Sequence, residues 1–422
     1  MIAVADLYQL FLDFPCIKTD TREEVKSSLF FCLKGDNFDG NQFALKALAL
    51  RAAYVITENK LLEGNDRIIV VDDVLTTLQR LANFHRNKLN TTILAITGTN
   101  GKTTTKELIY TVLSQKYKVA CTKGNLNNHI GVPLTLLSIK EQHQIAIVEM
   151  GANHPGEIAD LCAIAEPDYG LITNVGHAHL EGFGSYENII KTKTALYEAV
   201  RLRQGKIFIN ADDALLMQYA HDEDTFFYGS NAIVEPHGVV VDNNPYLTIS
   251  LFSCNIKTQL SGAYNLYNIL AAVAVGTYFG VNEADMAKAI AGYTPVNHRS
   301  QIMCRETNII ISDWYNANPD SMKQALLSFA SIQTNPKIAI LGDMFELGEN
   351  AATAHLELIH FAQQHDIEAV FVGKYFTAIA PPSALSFETI AELNQYLKKE
   401  NFQNTMFLVK GSRGMKMEQI NL

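Results

Sequence analysis

The stretch Thr91–Leu113 reads TTILAITGTNGKTTTKELIYTVL. Apolar residues fill Ile93–Ile96, a turn carries Gly98 and Gly101, Lys102 leads a run of threonines, and apolar residues recur at Leu108, Ile109, Val112 and Leu113. Strand, glycine turn and helix in that order form a phosphate cradle. Glycines admit the backbone to phosphate oxygens, the first helical amides point at the anion, and the helix dipole favours negative charge there. Lys102 can reach terminal phosphates and Thr103 can offer a hydroxyl to Mg2+. The motif is short, because Ile96 stands where the pattern G-x-x-x-x-G-K-[ST] has its first glycine. A short Gly/Lys motif alone is often an ordinary turn; the strand–helix context and the threonine after Lys102 favour a nucleotide.

Outward from this loop the same alternation repeats. Short apolar strands such as QIAIVE (Gln144–Glu149), YGLIT (Tyr169–Thr173) and KIFIN (Lys206–Asn210) alternate with amphipathic helices. That pattern predicts an α/β fold with a mostly parallel sheet covered on both faces. Between Phe226 and Leu260, broken by EPHG (Glu235–Gly238) and DNNPY (Asp242–Tyr246), short alternating strands predict antiparallel hairpins added to that sheet. A smaller α/β unit precedes the loop and a third, doubly wound unit follows it. The expected domains are 1–90, 91–296 and 297–422.

Composition agrees. The 422 residues are 48% hydrophobic and 18% charged, which suits a globular chain of two or three domains. A net charge of −10 argues against a nucleic-acid partner. The six cysteines are scattered without a C-x-x-C pair and read as reduced thiols. The first fifteen residues lack a basic leader and no apolar run approaches a membrane span, so the cytoplasm is expected.

Other polar positions fall at strand ends near the loop. Glu149 closes an apolar strand where a carboxylate can hold Mg2+, although an exposed strand-end acid is the bland reading. His177 and His179 lie on a Gly-rich loop after another strand; a solvent-facing role is reasonable for His177. Lys191 and Lys193 sit on a helix where lysines are ordinarily solvated charges.

Nine segments then occur in a telling order: GTNGKTTTKEL from Gly98, GNLNNHIGVPLTLL from Gly124, VEMGANHPGEI from Val148, NVGHAHLEGFGS from Asn174, NADD from Asn210, GAYNLYNILAA from Gly262, DWYNANPDSM from Asp313, LGDMFELG from Leu341 and VKGSRGMKME from Val409. Together they resemble the Mur ligases, and TDTREEVKSSLFFCLKGDNFDG from Thr19 resembles the uridine-nucleotide domain found in that family. The family lacks the first glycine of the longer loop, so Ile96 is a shared trait. The resemblance implies three domains: a UDP-substrate domain, a central ATPase and a Rossmann-like domain for the incoming amine.

It also implies roles. ATP would be bound by Gly98, Thr99, Asn100, Gly101, Lys102, Thr103 and Thr104, with Asn268 on the adenine side and Arg299 and Asp313 closing from the third domain. Lys102, His179 and Lys193 would be catalytic, and Thr103, Glu149, His179 and Lys193 would serve two Mg2+ ions, Lys193 as a carbamate. Thr21, Arg22, Lys34, Asp39 and Gly40 would hold the uridine nucleotide, and Asn127 and Asn128 the muramoyl end. Two positions depart from the family: Asn41, often His in relatives, and Trp314, often a small residue, which is expected to border the ATP or dipeptide site.

The implied activity is ATP-driven joining of D-alanyl-D-alanine to UDP-N-acetylmuramoyl-tripeptide through an acyl phosphate, by a monomer. The sister ligase that adds a diamino acid as third residue is the near alternative; its DNPR signature is absent, and YNANPDSM and AHLEGFGS favour the dipeptide. A nucleotide-binding protein without turnover is the alternative from another class.

Overall fold

In a computed structural model, residues 2–35, 38–296, 298–334 and 336–422 are described. Asn297, where the sequence places the start of the third unit, lies outside them.

The first sheet is parallel, in the order Ile17–Lys18, Leu29–Phe31, Tyr54–Thr57, Ile68–Val70. The helix Val74–Lys88 leaves it and packs on the next unit. Leu78 and Leu81 share one core with Val132, Leu136, Ile158 and Leu161, so the apolar interior does not break at residue 90. Buried Arg86 fastens this junction: its guanidinium donates to the carboxylate of Asp168 at 2.8 Å and to the carbonyls of Ala165 and Thr91.

The central sheet has six parallel strands in the order Thr225–Tyr228, Lys206–Asn210, Tyr169–Ile172, Thr92–Thr97, Ile145–Glu149, Val119–Cys121. Every residue from Ile93 to Thr97 is buried, as a strand covered on both faces requires. Successive crossovers leave Thr92–Thr97 in opposite directions, so the switch point of the sheet lies at its carboxyl end, where Gly98 begins the loop.

The segment 226–260 departs from expectation. Thr225–Tyr228 pairs parallel with Lys206–Asn210 as the sixth strand of the main sheet. The antiparallel strands Val239–Asn243, Leu247–Leu251 and Cys254–Lys257 form a separate three-stranded sheet. Its apolar face (Leu247, Ile249, Leu251, Ile256) packs with the helix Asn265–Tyr278 rather than extending the main sheet's edge.

The third sheet runs Gln301–Arg305, Asn308–Asp313, Met406–Lys410, Lys337–Gly342, Ala369–Val372, Leu385–Phe387, with only the first strand antiparallel. It docks on the central unit through polar contacts. Tyr264 Oη lies 2.7 Å from Ser300 Oγ, and Asn243 Nδ2 donates to Ser328 Oγ at 2.8 Å. Among the described residues no helix is long and apolar enough to cross a membrane.

Candidate active site

The loop's glycines are dictated by space. Gly98 has φ +143° and a Cβ there would stand 2.0 Å from Thr173 Oγ1; Gly101 has φ +81° and a Cβ would stand 2.5 Å from Asn268 Oδ1. Side chains are therefore excluded by conformation and contact together. The helix Lys102–Leu113 starts directly after Gly101, so its first amides open toward the loop.

A cavity of about 1460 Å³ opens above this loop. Thr99, Asn100, Gly101, Lys102, Thr103, Thr104, Asn127, Asn128, Glu149, His179, Asn268, Arg299 and Asp313 all line it. Gly98 and Lys193 lie behind its wall and join it through hydrogen bonds. Lys102 Nζ donates to the Gly98 and Thr99 carbonyls at 2.7 and 3.1 Å, and Lys193 Nζ donates to Gly98 at 3.1 Å. Burial lowers both ammonium pKa values. Glu149 opposes and Arg299 adds to the shift at Lys102, while Lys102 itself adds to that at Lys193, which falls well below the ordinary range.

Glu149 is the hub of a second cluster. Thr103 Oγ1 lies 3.1 and 3.0 Å from its two oxygens, and Asn127 Nδ2 donates to Oε1 at 2.8 Å. Lys106 Nζ, on a side chain as buried as the carboxylate, stands 3.4 Å from Oε2 and donates to the Gly124 carbonyl. A carboxylate and a hydroxyl beside a phosphate loop are hard oxygen donors, which suits Mg2+. No group of three or more His, Cys, Asp or Glu side chains gathers as a metal cage among the described residues. One carboxylate and one hydroxyl are the residues that could hold such an ion here.

The third unit reaches the same cavity. Asn318 Nδ2 donates to Asn100 Oδ1 at 2.8 Å, and the amide of His177 donates to Asp320 Oδ2 at 2.7 Å. The His177 ring stacks on Tyr186 with centroids 4.4 Å apart. His179 Nδ1 lies 2.5 Å from Glu346 Oε2, and that contact holds the Glu346 carboxyl below its usual range. Asp313 accepts from Lys410 at 2.6 Å, and Arg299 stacks its guanidinium 3.6 Å over the Tyr315 ring. Asn268 faces the start of the phosphate-loop helix, accepting from Thr105 and donating to Asn265.

Thr21, Arg22, Lys34, Asp39 and Gly40 are not brought into this cavity. Arg22 pairs with Asp20, and Lys34 pairs with Glu58 at 2.5 Å. Asp39 accepts from the backbone and side chain of Asn41, which in turn accepts from Thr57 Oγ1 and the Glu58 amide. Asn41 is therefore a buried polar joint. Trp314 also departs from expectation. It turns away from the cavity into the core of the third unit beside Ile310, Ile340 and Val409, and stacks on His298. Alternation along the strand-end segment explains this, because Asp313 and Tyr315 take the cavity side. Lys106, Tyr315, Asn318, Asp320, Glu346 and Lys410 were not singled out from sequence; they become visible only where elements distant in the chain meet.

Comparison with known proteins identifies the family. The model of the Mur ligase middle domain matches residues 96–276, and that of the Mur ligase glutamate ligase domain matches 298–413. The UDP-N-acetylmuramoyl-tripeptide–D-alanyl-D-alanine ligase of Bacillus subtilis (strain 168) is 36% identical over 420 residues, covering 96% of this chain and 92% of that protein. The chain belongs to the Mur ligase family. The protein of the same name from Escherichia coli (strain K12) resembles this Mur ligase at 31% identity over 96% of the chain and 92% of its own length. Among solved structures, MurF of Acinetobacter baumannii superposes with a TM-score of 0.86 at 28% identity, covering 99% of this chain and 97% of that one. MurF of Thermotoga maritima in complex with ADP gives 0.83 at 28% identity, covering 97% and 96%. The three-domain α/β architecture of this Mur ligase is that of these structures.

Proposed function

We propose that this Mur ligase joins D-alanyl-D-alanine to UDP-N-acetylmuramoyl-tripeptide, with ATP converted to ADP and phosphate. Residues 1–90 are assigned to the UDP-substrate, 91–296 to ATP and 297–422 to the amine. A carboxylate is a poor electrophile with a poor leaving group. Its oxygen attacks the γ-phosphorus, ADP leaves, and an acyl phosphate forms; the dipeptide amine then attacks the acyl carbon and phosphate departs.

The observation that carries this reading is the convergence of Lys102 and Lys193 on the Gly98 carbonyl, in the same loop that leads to the Thr103–Glu149 contact. The Lys102 cation and the hard oxygen donors stand where two anions, carboxylate and γ-phosphate, must be brought together. Thr103 and Glu149 would hold Mg2+, with a second ion near His179; bound Mg2+ would neutralise charge on the transferring phosphoryl group. Lys193 is assigned as a carbamate, which converts a buried cation into an oxygen ligand. Asp313, Arg299 and Asn318 approach from the third unit and exclude water from the acyl phosphate. We assign this activity to a cytoplasmic monomer.

Phosphate release in the presence of ATP, Mg2+ and the UDP-tripeptide tests the reading. Release is expected with D-alanyl-D-alanine and not with a free diamino acid. Release with the diamino acid instead would identify the sister activity, and release with neither would favour a protein without turnover.

A further inference from the structure

Lys106 follows Lys102 by about one turn of the phosphate-loop helix, yet it stands behind the cavity wall, 1% exposed. Its Nζ meets acceptors on two different segments. Glu149 Oε2 lies 3.4 Å away, and the Gly124 carbonyl accepts at 3.1 Å. Gly124 opens a stretch, residues 124–128, that lies between the strand Val119–Cys121 and the helix Gly131–Leu137 and belongs to neither. This stretch lines the cavity with Asn125, Asn127 and Asn128. Besides Thr103, each oxygen of Glu149 therefore meets one link to it. Asn127 Nδ2 donates to Oε1 at 2.8 Å, and Lys106 stands at Oε2.

A buried ammonium is costly unless paired, and the Glu149 carboxylate alone would pair it. The second acceptor makes Lys106 a bridge as well as a counter-charge. Charge drawn from the carboxylate by a divalent cation at Thr103 and Glu149 would loosen both links, and the ammonium would be repelled from the same side. Lys106 still has the Gly124 carbonyl to lean on. Residues 124–128 then keep their place while the Asn127 amide is freed toward the cavity. We propose that Lys106 is a positioning residue that couples the Mg2+-nucleotide at Thr103 and Glu149 to the UDP-substrate at residues 124–128. The inference rests on the ligase reading above and adds to it how the first ligand prepares the site of the second. Lys106 touches neither ligand; it acts through Glu149 and Gly124.

A lysine that only offsets the Glu149 charge would set stability and cation affinity, and nothing more. It would leave unchanged the factor by which one ligand tightens the other. A coupling residue sets that factor, and linkage makes the factor the same in both directions.

The test is calorimetric binding on the full-length chain with a non-hydrolysable ATP analogue and no dipeptide, so that no turnover occurs. In wild type, the analogue with Mg2+ should tighten UDP-tripeptide binding by about 10-fold, and UDP-tripeptide should tighten analogue binding by the same factor. In Lys106→Met both factors should fall to about twofold or less. A K106M protein that keeps the wild-type factor, whatever its stability, overturns the inference. Because K106M leaves a buried carboxylate unpaired, a second measurement uses wild type alone. Amide hydrogen exchange across residues 123–128 should slow by about 5-fold or more when the analogue is added with Mg2+, and not when it is added with EDTA. Unchanged or faster exchange, or equal slowing in EDTA, overturns the inference as well. If wild type binds no UDP-tripeptide, the ligase reading fails and takes the coupling with it. UDP-tripeptide binding that the nucleotide does not tighten overturns this inference alone.

Discussion

Lys193 and Lys102 share one acceptor: their Nζ atoms stand 3.1 and 2.7 Å from the carbonyl oxygen of Gly98. The two come from helices whose apolar sides belong to different cores, and Lys193 is buried while Lys102 is half-buried at the cavity wall. Two ammonium groups so placed disfavour each other's charge, and Lys193, with burial added, is the one driven well below the ordinary lysine range. A neutral buried amine reacts with CO2, forming an N–C bond and releasing a proton, and the resulting carbamate would face the Lys102 cation. Protein equilibrated with 13C-bicarbonate should show a carbamate carbon signal that Lys193→Ala lacks. Activity should fall in CO2-depleted buffer, return with bicarbonate, and drop by about 100-fold or more in Lys193→Ala. Full activity without CO2 would contradict the carbamate.

Glu149 and Lys106 form a buried pair at 3.4 Å, so removing one partner leaves an uncompensated charge. Glu149→Gln is expected to destabilise the fold by about 3 kcal/mol in urea titration. It should also move the Mg2+ dependence of activity to higher concentration. Adding Lys106→Met should recover part of the stability and none of the Mg2+ response. Equal stability of single and double variants would show that the pair is not coupled.

Asn318 has two tasks. Its side chain caps the helix Pro319–Ser331 by accepting from the Ser321 amide, and its Nδ2 donates to Asn100 in the phosphate loop. Aspartate keeps the cap but cannot donate, so Asn318→Asp separates the tasks. Helix stability should change by less than about 0.5 kcal/mol, while the ATP-bound protein should show a larger radius of gyration by X-ray scattering and a lower kcat. An unchanged radius and kcat would remove the amide pair from the closure of the third unit.

His355 is wholly buried and neutral by geometry: Nδ1 donates to the Ala351 carbonyl at 2.6 Å and Nε2 accepts from the Met344 amide at 2.9 Å. Burial lowers its pKa, with the Ala351 carbonyl and Asp343 opposing. His85 shifts the same way, again through burial. Below about pH 6.5 the unfolded chain takes up protons that these folded histidines still refuse, so stability falls as pH drops from there toward the folded values. Unfolding free energies at pH 7.5 and 5.5 should show this loss, and it should shrink in His355→Gln. The same loss in that variant would assign the acid sensitivity to other groups.

The phosphate loop was legible in sequence because its determinants are local. Gly98 and Gly101 stand where a Cβ has no room, and the buried part of the strand before them shows as the apolar run Ile93–Ile96. The separate sheet of Val239–Asn243, Leu247–Leu251 and Cys254–Lys257 was misplaced because alternation reveals which side is apolar, not which element covers it. Trp314 was misread for a similar reason: proximity to Asp313 in sequence says nothing about side, and the strand's alternation sends it into the core. Glu346 and Asn318 lie in family-like segments, but their roles show only through docking of the third unit, where they meet His179 and Asn100. Thr21, Arg22, Lys34, Asp39 and Gly40 came from family likeness rather than chemistry, and they lie apart from the phosphate cavity.

The most direct measurement is the mass of the product formed when the purified chain is incubated with ATP, Mg2+, UDP-N-acetylmuramoyl-tripeptide and D-alanyl-D-alanine. The account expects the tripeptide nucleotide to gain the dipeptide less one water, with one ADP and one phosphate formed for each product molecule, and no gain in Lys102→Ala. An unaltered nucleotide mass with ATP consumed, or a gain in Lys102→Ala equal to wild type, would contradict it.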